Sequence, residues 1–205
     1  YARLRDDETQ PGSLIFELEG YDYASLDHEL LKRRFDEAIR AGTLKKTDAY
    51  NGIGPLLTVH GGLATQHVPR ADSSTAASHS KANIEGRTSL LRILRFVKSL
   101  PGCGNVQIRS MQTETAIRET YRIDGLYNIT SEDYVYGRTY PDSLCYSFYP
   151  IDLHYEHGVE PDHLGKNVVA TIPLRALIPS SSENFLVAGR CVSSDRLANS
   201  ALRVQ

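Results

Sequence analysis

The sequence predicts a mixed α/β chain, α+β over most of its length, and three observations carry that expectation. Strand-like and helix-like segments alternate along the 205 residues, several strands cluster late in the chain, and no internal repeat is visible. The length is that of one large domain or two small ones, and 40% hydrophobic content is enough to build a sizeable core.

Residues 1–10 are polar and charged, with Arg3, Arg5, Asp6, Asp7 and Glu8, and read as a loop or frayed end. After Pro11-Gly12, Ser13 to Glu19 reads as a strand that alternates at its far end. A helix follows at roughly 26–41, with Ser25 as N-cap and Gly42 as the stop. Its residues Leu26, Leu30, Leu31, Phe35, Ala38 and Ile39 recur at helical spacing. Leu56 to Val59 reads as a strand closed by Gly61-Gly62, and Ala64 to Ser80, rich in Ser, Ala and Thr without a period, as a long loop.

A second helix is expected near 81–99, with Ile84, Leu91, Leu94 and Val97 among its apolar residues and Pro101-Gly102 at its end. Asn105 to Ser110 reads as a strand. Ser131-Glu132-Asp133 opens a short helix, its acids placed where the helix dipole favours them. Tyr146 to Leu153, Val168 to Ile172 and Phe185 to Ala188 complete the expected strands.

Composition excludes some classes of partner. Twenty-three Lys and Arg against 25 Asp and Glu leave a net charge of -2, so no single-sign field exists to capture nucleic acid or an anionic membrane. Apolar runs such as Phe185 to Ala188 are far below the roughly 18 residues of a spanning helix. The three cysteines, Cys103, Cys145 and Cys191, are scattered with no CxxC pair. They fit reduced thiols in a cytoplasmic protein better than a disulfide frame or a metal site, so no metal is expected.

The chain contains no GxGxxG, Walker A, HExxH or GxSxG motif. Three segments remain dense in unusual polar residues. In Ile117-Arg118-Glu119-Thr120-Tyr121-Arg122-Ile123, charges interleave with apolar residues. That suits a solvated strand face, an internal Arg–Glu pair, or a cationic wall in which Arg118 and Arg122 meet a substrate carboxylate or an anionic cofactor. Tyr149-Pro150-Ile151-Asp152-Leu153-His154 ends on a histidine that is either structural or a general acid–base; with His157 and His163 its spacing is too loose for a metal site. Asn184-Phe185-Leu186-Val187-Ala188-Gly189-Arg190 is either a buried strand and turn or a place where glycine lets a ligand approach the backbone. A helix starting near Ser200 would then aim free N–H groups at an acceptor.

These three segments, together with Gly137-Arg138, Ile172-Pro173-Leu174-Arg175-Ala176-Leu177-Ile178-Pro179 and Arg203-Val204, occur in one order. In that order the chain resembles the FAD-dependent oxidoreductases that pair a dinucleotide-binding fold with an inserted substrate domain. Ala82-Asn83-Ile84-Glu85-Gly86-Arg87 looks like the same family's helix before its Pro-Gly stop. The resemblance runs from about Ser13 to the end and is most specific after Ile117.

The resemblance implies a mixed-sheet substrate domain plus the C-terminal strand–turn–helix return of an FAD-binding Rossmann-like domain. The division would fall at 1–183 for the substrate part and 184–205 for the FAD part. It implies FAD as cofactor, a small-molecule substrate, and a missing N-terminal FAD-binding portion carrying the glycine-rich fingerprint, so that this chain is an incomplete piece. Gly189 and Arg190 would lie near the ribityl–phosphate region, and Ser200, Ala201, Leu202 and Arg203 at a flavin-facing helix start. Arg118, Glu119 and His154 would approach the flavin from the substrate side, to orient substrate and transfer a proton. Arg196 stands where relatives often carry a His. The competing expectation is an inactive fragment or a flavin-free scaffold domain.

Overall fold

In the computed structural model, residues 3–4, 9–58, 66–156 and 158–204 are described. The expectations placed on 1–2, 5–8, Val59, Gly61-Gly62 and the start of the loop at Ala64 lie outside these residues. The chain divides into two compact units: Tyr1–Thr9, Arg118–His154 and Val159–Gln205 form one, and Gln10–Ile117 with Tyr155–Gly158 the other. Residues 184–205 therefore share a unit with 118–154 and 159–183.

The chain is α/β, as the alternation of patterns predicted, but the described strands form four two-stranded sheets rather than one mixed sheet. Strand β1 (Arg3–Leu4) pairs antiparallel with β4 (Arg122–Ile123), and β2 (Phe16–Glu19) with β3 (Gln107–Met111). Strand β5 (Ser143–Ser147) pairs antiparallel with β8 (Ala170–Pro173), and β6 (Ile151–Tyr155) neighbours β7 (Gly158–Asp162).

In the Gln10–Ile117 unit, helix α1 (His28–Arg40) begins where Asp27 accepts the Leu30 amide at 3.0 Å. Leu31, Phe35 and Ala38 recur every three to four residues and are its buried face. Gly42, at φ +72°, closes the helix in the left-handed region, where its N–H reaches the Ile39 carbonyl.

Three expectations in this unit are overturned. The N-cap of α1 is Asp27 and not Ser25, which ends a preceding 3-10 turn, Tyr23–Ser25. Residues 56–57 are not a strand but the end of a short helix, α2 (Ile53–Leu57). An apolar run this short suits either state by pattern, and burial of Ile53, Leu56 and Leu57 at i, i+3 and i+4 selects the helix. Pro55 is tolerated because it sits in the first turn, where an amide has no intrahelical acceptor. The expected loop before 81 also shrinks, since α3 (Ala76–Lys98) starts at a capping box in which Thr75 Oγ1 accepts the Ser78 amide. The residues after the cap lack an apolar period because the first turn stands clear of the core. The buried stripe begins at Ala82 and continues through Gly86, Ser89, Leu90, Ile93 and Val97.

The core of this unit joins Leu14, Phe16, Leu31, Phe35, Leu56, Leu90 and Val97. One charge is sealed beside it. Asp48 is fully buried and accepts Arg92 Nε at 3.0 Å, Arg92 Nη2 at 2.7 Å, Ser89 Oγ at 2.6 Å and the Lys45 amide at 2.8 Å. The bidentate guanidinium satisfies both carboxylate oxygens, and this makes burial of the charge affordable.

In the other unit, the single strand expected over 146–153 is two, because Pro150 has no amide to give a ladder and separates β5 from β6. Helix α4 (Ser131–Val135) starts at a capping box of Thr130 and Asp133. The buried Tyr134 hydroxyl meets Ser147 Oγ at 2.6 Å and the Tyr149 carbonyl at 2.7 Å. Burial raises the Asp133 carboxyl, but hydrogen bonds from Tyr127, Arg138 and Thr130 outweigh it and hold the group at about 2. The core here gathers Ile129, Tyr134, Ile151, Ala170, Ile172 and Ala176 against helix α5 (Arg196–Leu202).

Arg92→Met would leave the Asp48 carboxylate buried without its guanidinium. The expected cost is about 3–5 kcal/mol, read as a lower urea midpoint for the Gln10–Ile117 unit at unchanged slope. A loss below about 1 kcal/mol would show that water replaces the guanidinium at no cost.

Candidate functional site

Alternation along β6 puts Asp152 and His154 on one face of the strand, two residues apart. His154 Nε2 lies 3.2 Å from Asp152 Oδ2, and both residues are largely buried. Arg203 Nη2 reaches the same carboxylate oxygen at 3.3 Å and the Asp152 carbonyl at 3.1 Å. From below, Ser200 Oγ accepts the Asp152 amide at 3.0 Å and donates to the Leu197 carbonyl at 2.7 Å. The end of α5, its C-cap and His154 thus hold Asp152 at three atoms, the carboxylate Oδ2, the backbone carbonyl and the backbone amide.

The electrostatics follow from these distances. The hydrogen bond from His154 holds the Asp152 carboxyl below its ordinary value against the effect of burial, and the charges of Arg203 and Arg118 add to it. Burial pushes the His154 ring below 6.5; Asp152 opposes this, while Arg118 and Arg203 reinforce it. An ionised carboxylate only accepts, so the neutral ring carries its proton on Nε2 and its basic lone pair on Nδ1. Burial also lowers Arg203, while the Asp152 and Glu119 carboxylates favour its charged form.

Glu119 is buried and accepts Arg196 Nε at 3.3 Å, so the internal Arg–Glu pair expected for this segment joins Glu119 to Arg196. Arg122 is also buried and donates from Nε to the Ser194 carbonyl at 2.9 Å, which removes it from the cationic wall. Arg118 is half-buried, and its charge acts on both His154 and Asp152. The structure therefore brings Arg118, Glu119, His154 and Arg203 into one electrostatic group.

The expected flavin-facing helix start near Ser200 is overturned. Helix α5 begins at Asp195, whose side chain accepts the Ala198 amide at 2.7 Å, and ends at Leu202. Asn199-Ser200 resembles a cap by residue type, but the competing Asp195 has the free amides ahead of it. Ser200, Ala201 and Leu202 are consequently in the last turn and buried, with no accessible side chain to offer a cofactor. Arg203 is the C-cap, a cation at the end of the helix where carbonyls gather. The strand expected at Phe185 to Ala188 does not form among the described residues; the Val187 amide there donates to the Leu177 carbonyl at 3.0 Å.

An FAD chain fits part of this unit. Gly189 opens a single 3-10 turn, Gly189–Cys191, at φ +66°, and nothing lies within 4 Å of where its side chain would be, so a phosphate or ribityl chain has room against the backbone. Arg190 is exposed beside it. Two buried polar atoms among the described residues, Asn199 Oδ1 and Arg203 Nε, have no hydrogen-bond partner, an acceptor and a donor four residues apart. Sequence reasoning gave no role to Asp152 or Asn199, and of Arg196 it noted only that relatives often carry a His there. The Asp-x-His alternation was the available signal for Asp152; nothing local marks the partners of the other two.

A pH titration of the His154 ring by NMR should place its midpoint below 6.5. Asp152→Asn removes the partner that raises it, so the midpoint should fall further; a rise would overturn the assignment. Because the unfolded ring binds its proton more readily than the folded one, this group's contribution is complete above 6.5 and declines as pH falls below it.

Among the described residues, no helix is long and apolar enough to cross a membrane. No curated protein and no solved structure matches the chain. The family described as FAD dependent oxidoreductase matches residues 2–205. With that match spanning nearly the whole sequence, the chain belongs to the FAD-dependent oxidoreductase family, whose cofactor is FAD.

Proposed function

We propose that this chain is the substrate-side part of an active FAD-dependent enzyme, in which the Asp152–His154 pair takes the proton released when a polar small molecule is oxidised. The 3.2 Å contact between His154 Nε2 and Asp152 Oδ2 carries this reading, because in a neutral ring it places the proton on Nε2 and the basic lone pair on Nδ1. Bound FAD supplies the two-electron acceptor. His154 accepts the proton from the hydroxyl or amine of the donor at Nδ1, and Asp152 and Arg203 keep the ring in that tautomer. Arg118 supplies positive charge on the same side, which favours a substrate bearing a carboxylate or another acidic group. Glu119, locked to Arg196, sets the position of the 118–119 backbone and so of the Arg118 charge.

On the cofactor side, Gly189 and Arg190 would hold the ribityl–phosphate region, and Arg203 would place a cation toward the flavin. Residues 184–205 then act as the C-terminal part of the FAD-binding region, with 1–183 as the substrate part. The chain has no glycine-rich pyrophosphate fingerprint, so we infer that an N-terminal portion of the same polypeptide supplies it. All three cysteines are free thiols, which is the basis for placing the protein in the cytoplasm.

In the intact, flavin-loaded protein, His154→Ala should slow reduction of the flavin by substrate by about 10²-fold. A normal rate with a lowered melting temperature would assign His154 to the fold alone. Arg203→Ala should lower the flavin midpoint potential, since a cation near the flavin favours the anionic reduced form. An unchanged potential in a flavin-replete variant would remove Arg203 from the cofactor side.

A further inference from the structure

We propose that the Gln10–Ile117 unit carries a second ligand site, a cleft that binds a neutral polyhydroxylated ring of the saccharide class. The site does not depend on the flavin assignment. The cleft, of about 500 Å³, lies between α1, the α2 turn and the 3-10 turns that precede each of them. That volume is in the range of small-molecule sites.

Three features of the lining point to a saccharide. The first is aromatic surface at a wet opening. Tyr23 packs edge-on against His28, with centroids 4.6 Å apart, and Tyr50 stacks on His67 at 3.8 Å and 15°, so both tyrosines of the cleft are held by a second ring. Rings fixed in this way offer apolar faces to the C–H side of a sugar at little further entropic cost. The Gly52–Gly54 segment beside them carries no side chain at either glycine. Nothing lies within 4 Å of a Gly52 Cβ position, and the nearest atom to that of Gly54 is Tyr23 Oη at 3.7 Å. The backbone there is open to close approach.

The second feature is the charge of the rim. Glu29 and Asp36 are offset by Lys32 and Lys46, so the cleft has no excess of either sign for a phosphate or a polycation. The third is the state of those groups. Lys32 stands three residues after Glu29 and four before Asp36, spacings at which helix ion pairs form, yet neither pair closes to within ion-pair distance among the described residues. By contrast Arg34 and Glu37, on the same helix, do pair at 3.3 Å. Donors and acceptors that remain apart around a neutral cleft match a ligand whose hydroxyls each donate and accept. Asn51 adds an amide that does both.

The test is titration of the intact protein with cellotriose, maltotriose and xylotriose, followed by saturation-transfer NMR and calorimetry. At least one trisaccharide should bind with Kd at or below about 1 mM. Tyr23→Ala and Asn51→Ala should each weaken it by about tenfold or more at unchanged melting temperature. Should Tyr23→Ala fail to fold, Asn51→Ala and Lys46→Met carry the same test from the exposed rim. Absence of binding by all three sugars at about 10 mM would overturn the proposal, as would tighter binding of AMP or pyrophosphate at the same residues.

Discussion

A carboxylate set between a guanidinium and an imidazole cannot take up a proton without loosening both, and Asp152 occupies that place between Arg203 and His154. Its amide is fixed by Ser200 and its carbonyl by Arg203, so backbone and side chain of one β6 residue are tied to the last turn of α5 and its C-cap. The orientation and tautomer of the imidazole follow from this arrangement, whereas its lowered affinity for protons comes from burial, against the pull of the carboxylate. So does the burial of Ser200, whose hydroxyl serves the strand and its own helix instead of a ligand. Removing the carboxylate would leave a mostly buried guanidinium facing a neutral ring, which is the costly half of a broken buried pair.

Where positive charge sits in this unit differs from what a helix amino end would provide. A helix start contributes partial positive charge from free amides, whereas the end of α5 presents carbonyls, and Arg203 is what reverses the sign there. A cation on a side chain responds to its neighbours in a way that a backbone dipole does not. Asp152 and Glu119 favour the charged guanidinium, while Arg190 and burial disfavour it. The unpartnered Arg203 Nε and Asn199 Oδ1 add a local deficit of hydrogen bonds at the same end of the helix, and the left-handed Gly189 leaves backbone open nearby in sequence. These are the features of the unit that suit the family's cofactor.

The Gln10–Ile117 unit relies on a different solution to the same problem of a sealed acid. Asp48 receives four donors, two of them from one guanidinium. Around it the apolar stripe of α3 and the inner face of α1 close a core that leaves the outer face of α1 polar. That outer face forms one wall of the cleft between α1 and the α2 turn. Its charges stand apart while Arg34 and Glu37 of the same helix pair, a contrast that spacing along the helix does not produce by itself.

How much of this was legible beforehand depended on the range of the interactions. The α/β class, helix α1 with its buried stripe, the main body of α3, the short helix at Ser131 and the order of motifs that marks the family could all be read from the sequence, because periodicity, caps and glycine stops act within a few residues. The Asp-x-His alternation on β6 was legible as a pattern but not as a pair, since the pairing needed a strand, and the strand needed Pro150 to end the one before it. What only the tertiary structure decided were choices between local states of similar energy. Burial made a helix of Ile53–Leu57. Asp195 rather than Ser200 became the cap of α5, so Ser200 through Leu202 went into the core and Arg203 to the carboxyl end. Residues 185–188 form no strand among the described residues. Hydrogen bonds to Asp152 and Glu119 from arginines distant in sequence then set which charges act together. Local free energies differ by less than the burial of two or three side chains, so at these positions packing over long sequence separations had the final word.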